Sequence, residues 1–590
     1  MVLAGPGSGK TLTIVKRIEY LIKEHQINPE DILVVTFTKA AAGEMRERFY
    51  SLMKSRNAPV TFGTFHSIFY GILKWSYHLS ADSFIGEPEQ FRLIGQICES
   101  LNVDADQELT ADILREIGRQ KSRYPQVDHA AVQFGSILPE TFDAIRKAYD
   151  DQKERIRKYD FDDMLLKCCE LFHEQPDILQ KWQDRFPYIL IDEFQDINPV
   201  QYQVMQMLSA KQRNLFVVGD DDQSIYSFRG AEPSIMLGFE KDYPDAVKII
   251  LDINFRSTYE LVRNADKIIR CNQNRFMKHI KANQEGGDNI RISEFADTLA
   301  ESRFIAEELG RLLEQGGAAE QMAVLYRSKS DVGDLMETLM EYEIPFYMKE
   351  QFTSIYDHFI GRDMISYIRL ALGGKERADY LRICNRPNRY IKRDSLDERS
   401  VTFETLRCYY EEQEWILPTI DQFEEDVNML GEMAPFAAFT YIRKRIGYDC
   451  FLSDYAARYR IKAETLFEVA DELVERARKY KSLSEWLQGV DLYNQRLLEE
   501  KKKRGRENEG VALMSMHGAK GLEFETVFII SVNDGSIPHK KAVMAEEIEE
   551  ERRIFYVAVT RAKRQLYISY VNEKNGKEQS PSRFLEQLSD

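Results

Sequence analysis

The stretch Met1–Thr11, "MVLAGPGSGKT", decides the architecture. From Ala4 to Thr11 it follows the pattern A/G-x4-G-K-S/T. In such a loop the backbone N–H groups of Gly5, Pro6-flanked Gly7, Ser8 and Gly9 surround the phosphates of a nucleotide. Lys10 reaches the β and γ oxygens, and the Thr11 hydroxyl suits Mg²⁺. A loop of this kind follows a buried strand and opens a helix. Only "MVLA" precedes it, so the strand is expected to be no more than a last turn. The expectation is that Met1 is a late start or that a segment is missing upstream.

Bulk composition sets wide limits. A chain of 590 residues implies roughly four domains at about 150 residues each. Hydrophobic residues make up 43% and charged residues 30%, a globular balance. The sequence has no apolar run of about 18 residues and no secretory leader. The seven cysteines have no C-x-x-C spacing. That argues against a zinc ribbon, an iron–sulfur cluster or a disulfide framework, and fits a reducing cytoplasm. The net charge of −17 argues mildly against nucleic-acid binding, although a local groove can be basic on an acidic body.

Working outward from the loop, short β-branched runs recur at 32–38, 188–193, 214–220 and 247–252. A second set follows at 289–295, 322–328, 511–517, 526–532 and 565–571. Continuous apolar strands bounded by loops indicate parallel sheets covered on both faces. Helical periodicity replaces strands from Trp75 to about Phe186 and again from about 353 to 505. The expected fold class is therefore α/β, with two P-loop-type parallel-sheet domains each interrupted by a mainly helical insert. The first domain takes 1–66 and 186–254, with its insert at 67–185. The second takes 255–352 and 506–590, with its insert at 353–505. The charge-dense "EEKKKRGREN" (499–508) reads as a solvated linker or hinge rather than a DNA contact.

Further motifs narrow the chemistry. In "LIDEFQD" (190–196) a strand delivers Asp192 and Glu193 at its C-terminal end, where α/β sheets place ligands. Asp192 suits Mg²⁺ coordination, and Glu193 suits orienting and deprotonating an attacking water. In "VVGDDDQSIYSFRGA" (217–231) Gln223 can meet a γ-phosphate, while Tyr226 and Phe228 offer faces for base stacking beside Arg229. The same segment also reads as an ordinary loop with core aromatics. Arg256 in "NFRST" and Arg561 in "YVAVTRAK" have the character of arginine fingers if both reach the nucleotide. Arg561 belongs to the second sheet domain, so the nucleotide would then lie in a cleft between domains.

The order of these motifs, together with "TFTKAAAGEM" (36–45), "TFGTFHS" (61–67), "YDFDDML" (159–165), "MSMHGAKGLEFETVFI" (514–529) and "ERRIFYVAVTRAK" (551–563), resembles the UvrD/Rep/PcrA group of superfamily 1 DNA helicases. The resemblance covers both sheet domains and is loose in the helical inserts. It implies two RecA-like domains and an ATP-driven, Mg²⁺-dependent 3′→5′ translocase on single-stranded DNA that separates duplexes at single-strand/duplex junctions. Lys10, Thr11, Asp192, Glu193, Gln223, Arg256 and Arg561 fall on the family's ATPase positions. Glu523 falls on its nucleotide-sugar contact, and Phe255 on the aromatic beside the adenine. Phe37, Thr64, His66, Tyr226, Phe228, Arg229, Arg327, His517 and His539 fall on DNA-contact positions.

Departures accompany the match. The family's adenine-recognising Gln segment does not precede Met1, and Leu12 stands where Arg often follows the loop. The expectation is poor ATP turnover or relaxed base preference. Lys39-Ala40 replaces a common Asn-Lys, and Phe228 replaces Trp. Tyr390 and Lys392 replace two glycines of a turn that touches duplex phosphates. The tail "VNEKNGKE" lacks a base-pocket aromatic, and no nuclease domain or partner-binding tail is expected. The expected protein is a cytoplasmic monomer with no membrane contact. The other readings are an ATPase that strips proteins from DNA while unwinding weakly, and an ATP-gated DNA-binding module with impaired turnover.

Overall fold

Residues such as Ile32–Val35 and Ile189–Ile191 have no exposed face to offer, and the fold gives them none. A computed structural model describes residues 1–54, 58–101, 103, 107–123, 139–287, 290–350, 354–397, 400–459, 463–503 and 509–588. The expected hinges near 353 and 505, and the Gly-containing half of the 499–508 linker, lie outside the described residues.

The first sheet is built from β1 (Val2–Ala4), β2 (Ile32–Thr36), β3 (Thr61–Thr64), β4 (Tyr188–Ile191), β5 (Leu215–Gly219) and β6 (Ile249–Leu251). Its strands are all parallel, in the order β3-β2-β4-β5-β1-β6. Alternate residues along each strand divide between two cores. Leu3, Leu33, Val35, Ile189, Ile191 and Val217 join the helices Phe65–Tyr77, Phe161–Glu174 and Pro199–Ser209 on one face. Val2, Ala4, Ile32, Val34, Leu190 and Val218 meet the helices Lys10–Lys23 and Lys39–Met53 on the other. The period of two thus explains why these strands read as unbroken apolar runs: both faces are covered.

The chain leaves this sheet through β7 (Ile253–Thr258), which pairs with β8 (Lys281–Gln284) in a separate two-stranded ribbon. The second sheet comprises β9 (Arg291–Asp297), β10 (Met322–Tyr326), β11 (Phe346–Met348), β12 (Val511–Ser515), β13 (Phe524–Ile529), β14 (Ala562–Lys574) and β15 (Lys577–Glu578). Its order is β11-β12-β10-β13-β14, with β9 parallel and β15 antiparallel to β14. The same alternation recurs: Val324, Leu513 and Phe528 face one core, while Leu325, Met514 and Ile529 face the other.

The two helical insertions differ in how they are anchored. Between β3 and β4, Ile94, Ile97, Ile113, Ile117, Phe142, Ile145 and Tyr149 form a small core of their own. Between β11 and β12 the helices from Phe359 to Lys503 share a continuous core with one face of the second sheet, including Trp486, Tyr367 and Leu473. The parallel architecture and the helical interruptions agree with the α/β expectation. Strands β3, β7, β8, β11 and β15 fall outside the runs expected as strands: β3, β7, β8 and β15 are polar or contain Gly, and β11 spans only three residues. No helix among the described residues is long and apolar enough to cross a membrane.

Candidate functional site

The carboxyl edge of the first sheet gathers the candidate chemistry. After β1 the chain turns through Gly7 (φ 65°) and Gly9 (φ 87°), conformations that glycine adopts without strain. A Cβ on Gly7 would meet Arg256 Cβ at 2.6 Å and Asn254 Oδ1 at 2.7 Å. The Ser8 hydroxyl donates to the Gly5 carbonyl at 2.7 Å, which closes the loop. Gly9 then opens the helix Lys10–Lys23 with no side-chain cap. The orphan N–H groups of its first turn therefore face the loop's concavity, the geometry that suits an anion. Lys10 Nζ lies 3.5 Å from Glu193 Oε1.

Asp192 and Glu193 follow β4 directly. Asp192 is buried, and its backbone N–H donates to the Val35 carbonyl at 3.0 Å. Glu193 adopts a left-handed backbone (φ 50°) although it is not glycine, the kind of strain that sites retain. Burial and the neighbouring Glu193 charge push the Asp192 carboxyl up. Burial acts on Glu193 as well, but Lys10 and Lys520 outweigh it and hold that carboxyl low. Gln195 donates to Glu193 Oε2 at 2.5 Å and accepts from the Asp220 N–H at 2.9 Å, linking the ends of β4 and β5. Gln223, buried after β5, donates to Asp220 Oδ2 at 2.7 Å.

The second sheet's side of the site begins at β7. The Phe255 N–H donates to the Gly7 carbonyl at 3.0 Å, so its ring stands beside the loop, 56% exposed. Arg256 donates to Glu523 Oε2 at 2.7 Å and to the Thr560 carbonyl at 3.2 Å. Glu523 also pairs with Lys563 at 3.1 Å. Arg561 is buried; it donates to the Val557 and Leu522 carbonyls and to the Thr560 hydroxyl, at 2.8, 3.1 and 3.0 Å. Burial and the adjacent Arg256 charge both work against its own, and Glu193 works for it. Thr11 sits on the helix start, and Leu12 beside it is exposed.

The candidate nucleic-acid residues fall into two groups. Phe37 directly follows β2, Thr64 ends β3, and His66 is the second residue of the next helix. Phe37 packs edge-on against Phe65 (5.1 Å), and His66 against Phe161 (6.3 Å). The Thr64 hydroxyl accepts from the Ser67 N–H at 3.2 Å, so it caps a helix rather than standing uncommitted. The other group bridges the two sheets. Arg229 lies over the rings of Tyr226 (5.1 Å) and Phe228 (5.5 Å), and Phe228 meets His517 edge-on at 5.5 Å. Arg327 is held bidentate by buried Glu551 at 3.1 and 2.6 Å, and Glu551 also accepts from the His539 N–H. Burial, reinforced by Arg327, brings His517 down to about 4. Burial and Arg327 lower His539 too.

Residues 1–244 match the UvrD/REP helicase N-terminal domain, and residues 249–573 match the UvrD-like helicase C-terminal domain. The chain belongs to the UvrD/REP helicase family. Membership fixes the enzyme class, since the helicases of this family are ATPases, and identifies the two parallel sheets as RecA-like domains. Among curated relatives, a protein named putative ATP-dependent DNA helicase YjcD, from Bacillus subtilis (strain 168), is 35% identical over 614 residues. That match spans 99% of this chain and 78% of the relative. ATP-dependent DNA helicase PcrA of Staphylococcus epidermidis is 30% identical, over all of this chain and 84% of its own length. The Staphylococcus aureus PcrA matches at the same identity and coverage.

Several members of this UvrD-type site escape sequence reading. Lys520, inside the quoted "HGAKGLEF", crosses to the first RecA-like domain and donates to Asp196 Oδ2 at 2.5 Å and the Gln223 carbonyl at 2.7 Å. Glu551 opens "ERRIFYVAVTRAK", and its partner Arg327 lies far away in sequence. Gln195 and Asp220 sit beside recognised acids. Arg275 and Lys278 carry no local pattern at all, and only the tertiary fold brings them to Asp220–Asp222.

Proposed function

We propose that this chain is a Mg²⁺-dependent ATPase that translocates 3′→5′ on single-stranded DNA and separates duplexes at junctions, acting as a monomer. One observation carries the reading: Lys10 and Glu193 of the first domain stand at the loop that Phe255 and Arg256 touch, with Arg561 and Glu523 behind them. The relatives' names as DNA helicases support the substrate. In this reading the boundaries are 1–66 with 186–254, 67–185, 255–352 with 506–590, and 353–505.

The roles follow from the chemistry. The loop from Gly5 to Gly9 and Lys10 bind the phosphates, Phe255 stacks on the base, and Glu523 meets the sugar. Thr11 and Asp192 are hard oxygen donors at a helix start and a strand end, a set that fits Mg²⁺. The ion, when bound, neutralises phosphate charge. Glu193, held anionic by Lys10 and Lys520, takes a proton from water. Gln223 senses the γ-phosphate, and Arg256 and Arg561 stabilise the charge that develops in transfer. Phe37, Thr64, His66, Tyr226, Phe228, Arg229, Arg327, His517 and His539 form the DNA track, where stacking tolerates every base.

The test is ATP turnover with and without oligo-dT, followed by strand separation on 3′-tailed and 5′-tailed duplexes. DNA-stimulated turnover and a 3′-tail preference are expected; a 5′-tail preference refutes the polarity. Glu193→Gln is expected to lower turnover about 10²–10⁴-fold while sparing ATP binding, and turnover at the parental level removes Glu193 as the base.

A second reading, an ATPase that strips proteins from DNA with weak unwinding, is favoured by one turn of the second insert. Tyr390 holds a left-handed backbone (φ 58°) and is 68% exposed, where a glycine would let a backbone approach closely. Displacement of a DNA-bound filament without strand separation selects this reading.

A further inference from the structure

Asp220, Asp221 and Asp222 lie buried at the end of β5, close enough together to hold a cation. The cation among them is Lys278, whose Nζ stands 2.5, 2.5 and 2.9 Å from the three carboxylates. Arg275 adds a second positive charge with two bonds to Asp222, at 2.8 and 2.6 Å, and the Phe276 N–H donates to Asp221 at 2.8 Å. All three acids belong to the first sheet's turn, whereas the loop 271–280 is fastened to the second domain. Asn272 donates to the Glu549 carbonyl at 3.0 Å, the Gln273 N–H donates to Glu549 Oε1 at 2.6 Å, and Arg553 donates to the Asn274 carbonyl at 3.0 Å. Helix Ala545–Val559, which makes these contacts, leads directly to Arg561.

Asp220 is the joint between these parts. One of its oxygens accepts from Lys278 and the other accepts from Gln223 Nε2. Its backbone N–H is fixed by Gln195. A charge-assisted contact of this length does not survive a shift of about 1 Å in its donor without the carboxylate turning to follow. Turning Asp220 moves the acceptor that holds the Gln223 amide.

We propose that Lys278 is a positioning residue that, through Asp220, sets the side chain of Gln223 and so makes phosphate sensing depend on the placement of the second domain. The proposal rests on the reading of Gln223 given above. Lys278 touches no nucleotide in this scheme; it transmits where the second domain stands.

The experiment uses the full chain and compares Lys278→Arg, Lys278→Met, the double variant Lys278→Met/Asp220→Asn, and Gln223→Ala. It reads kcat and KM for ATP with saturating oligo-dT, alongside thermal melting. The double variant removes one charge of each sign, so the cluster keeps the parental net charge while losing the ionic joint. The expected result is a double variant that melts like the parent and keeps KM within about threefold, yet loses about tenfold or more in DNA-stimulated kcat. Lys278→Arg is expected to recover most of that loss. Lys278→Met is expected to match the double variant in kcat. If it fails to fold, the double variant and Lys278→Arg decide the matter. Parental kcat in the double variant, with Gln223→Ala crippled, overturns the proposal and leaves the reading of Gln223 standing. Parental kcat in Gln223→Ala removes the reading of Gln223 itself, and the proposal with it.

Discussion

Gly7 shows how one residue type serves two demands. Its φ of 65° is costly for other residues, and its missing Cβ leaves room for Arg256 and Asn254. Gly7→Ala adds a left-handed penalty of about 1–2 kcal/mol and forces the β7 entry away from the loop. The expected outcome is loss of ATP binding in a fluorescent-nucleotide titration together with a lowered melting temperature; parental affinity would contradict it. His517 gives a pH-dependent case. Its folded value is depressed to about 4, below the ordinary value of about 6.5. The unfolded chain therefore binds a proton at His517 that the folded chain refuses. That contribution to stability is present above about pH 6.5 and is lost as pH falls toward 4. Denaturant unfolding of parent and His517→Gln is expected to show the parent losing more stability across that window. Parallel pH profiles would contradict the assignment.

At the scale of elements, capping decides how candidate residues are presented. Thr64 closes β3 and caps the helix Phe65–Tyr77 in a reciprocal box with Ser67. Thr64→Ala is expected to cost about 0.5–2 kcal/mol in denaturant unfolding. ATP affinity is expected to stay at the parental level, because β3 is an edge strand with β2, β4 and β5 between it and β1. A fall in DNA affinity larger than the fall in stability would assign its hydroxyl a second part at the DNA. The helix Lys10–Lys23 follows the opposite rule. It begins at Gly9 with no side-chain cap, so its first N–H groups meet no capping side chain. The contrast between two helices of one sheet separates an uncapped start from a capped one.

For the whole molecule, the two RecA-like domains meet through buried charge. Lys520 and Lys278 come from the second domain to acids of the first, and Ser227 donates back to Glu550 at 3.3 Å. Arg561 is anchored by carbonyls of its own domain while feeling the Glu193 charge from the other. Arg561→Lys keeps a cation and loses the planar fork that the Val557 and Leu522 carbonyls and the Thr560 hydroxyl hold. DNA-stimulated kcat is expected to fall by about 10³-fold, with KM for ATP changed by a few-fold at most. A variant that raised KM alone would show that Arg561 contributes to binding rather than to transfer.

Much of this protein was legible in one dimension. The phosphate loop, the acids after β4 and the strands flanking them are local patterns, because a loop's backbone conformation and a strand's two-sided burial are written in consecutive residues. Fold class and family follow from them. The partners of those residues were not legible. Nothing near Arg327 announces Glu551, 224 positions away, and nothing in "CNQNRFMKHI" announces that Lys278 will stand among three aspartates. Burying an ion is tolerated only where opposite charges converge on it, and convergence between segments distant in sequence exists only after folding. The sequence by itself determined the fold class and the family, because both rest on local patterns of consecutive residues. The tertiary structure alone decided which charge faces which, because that depends on the packing of one sheet against another.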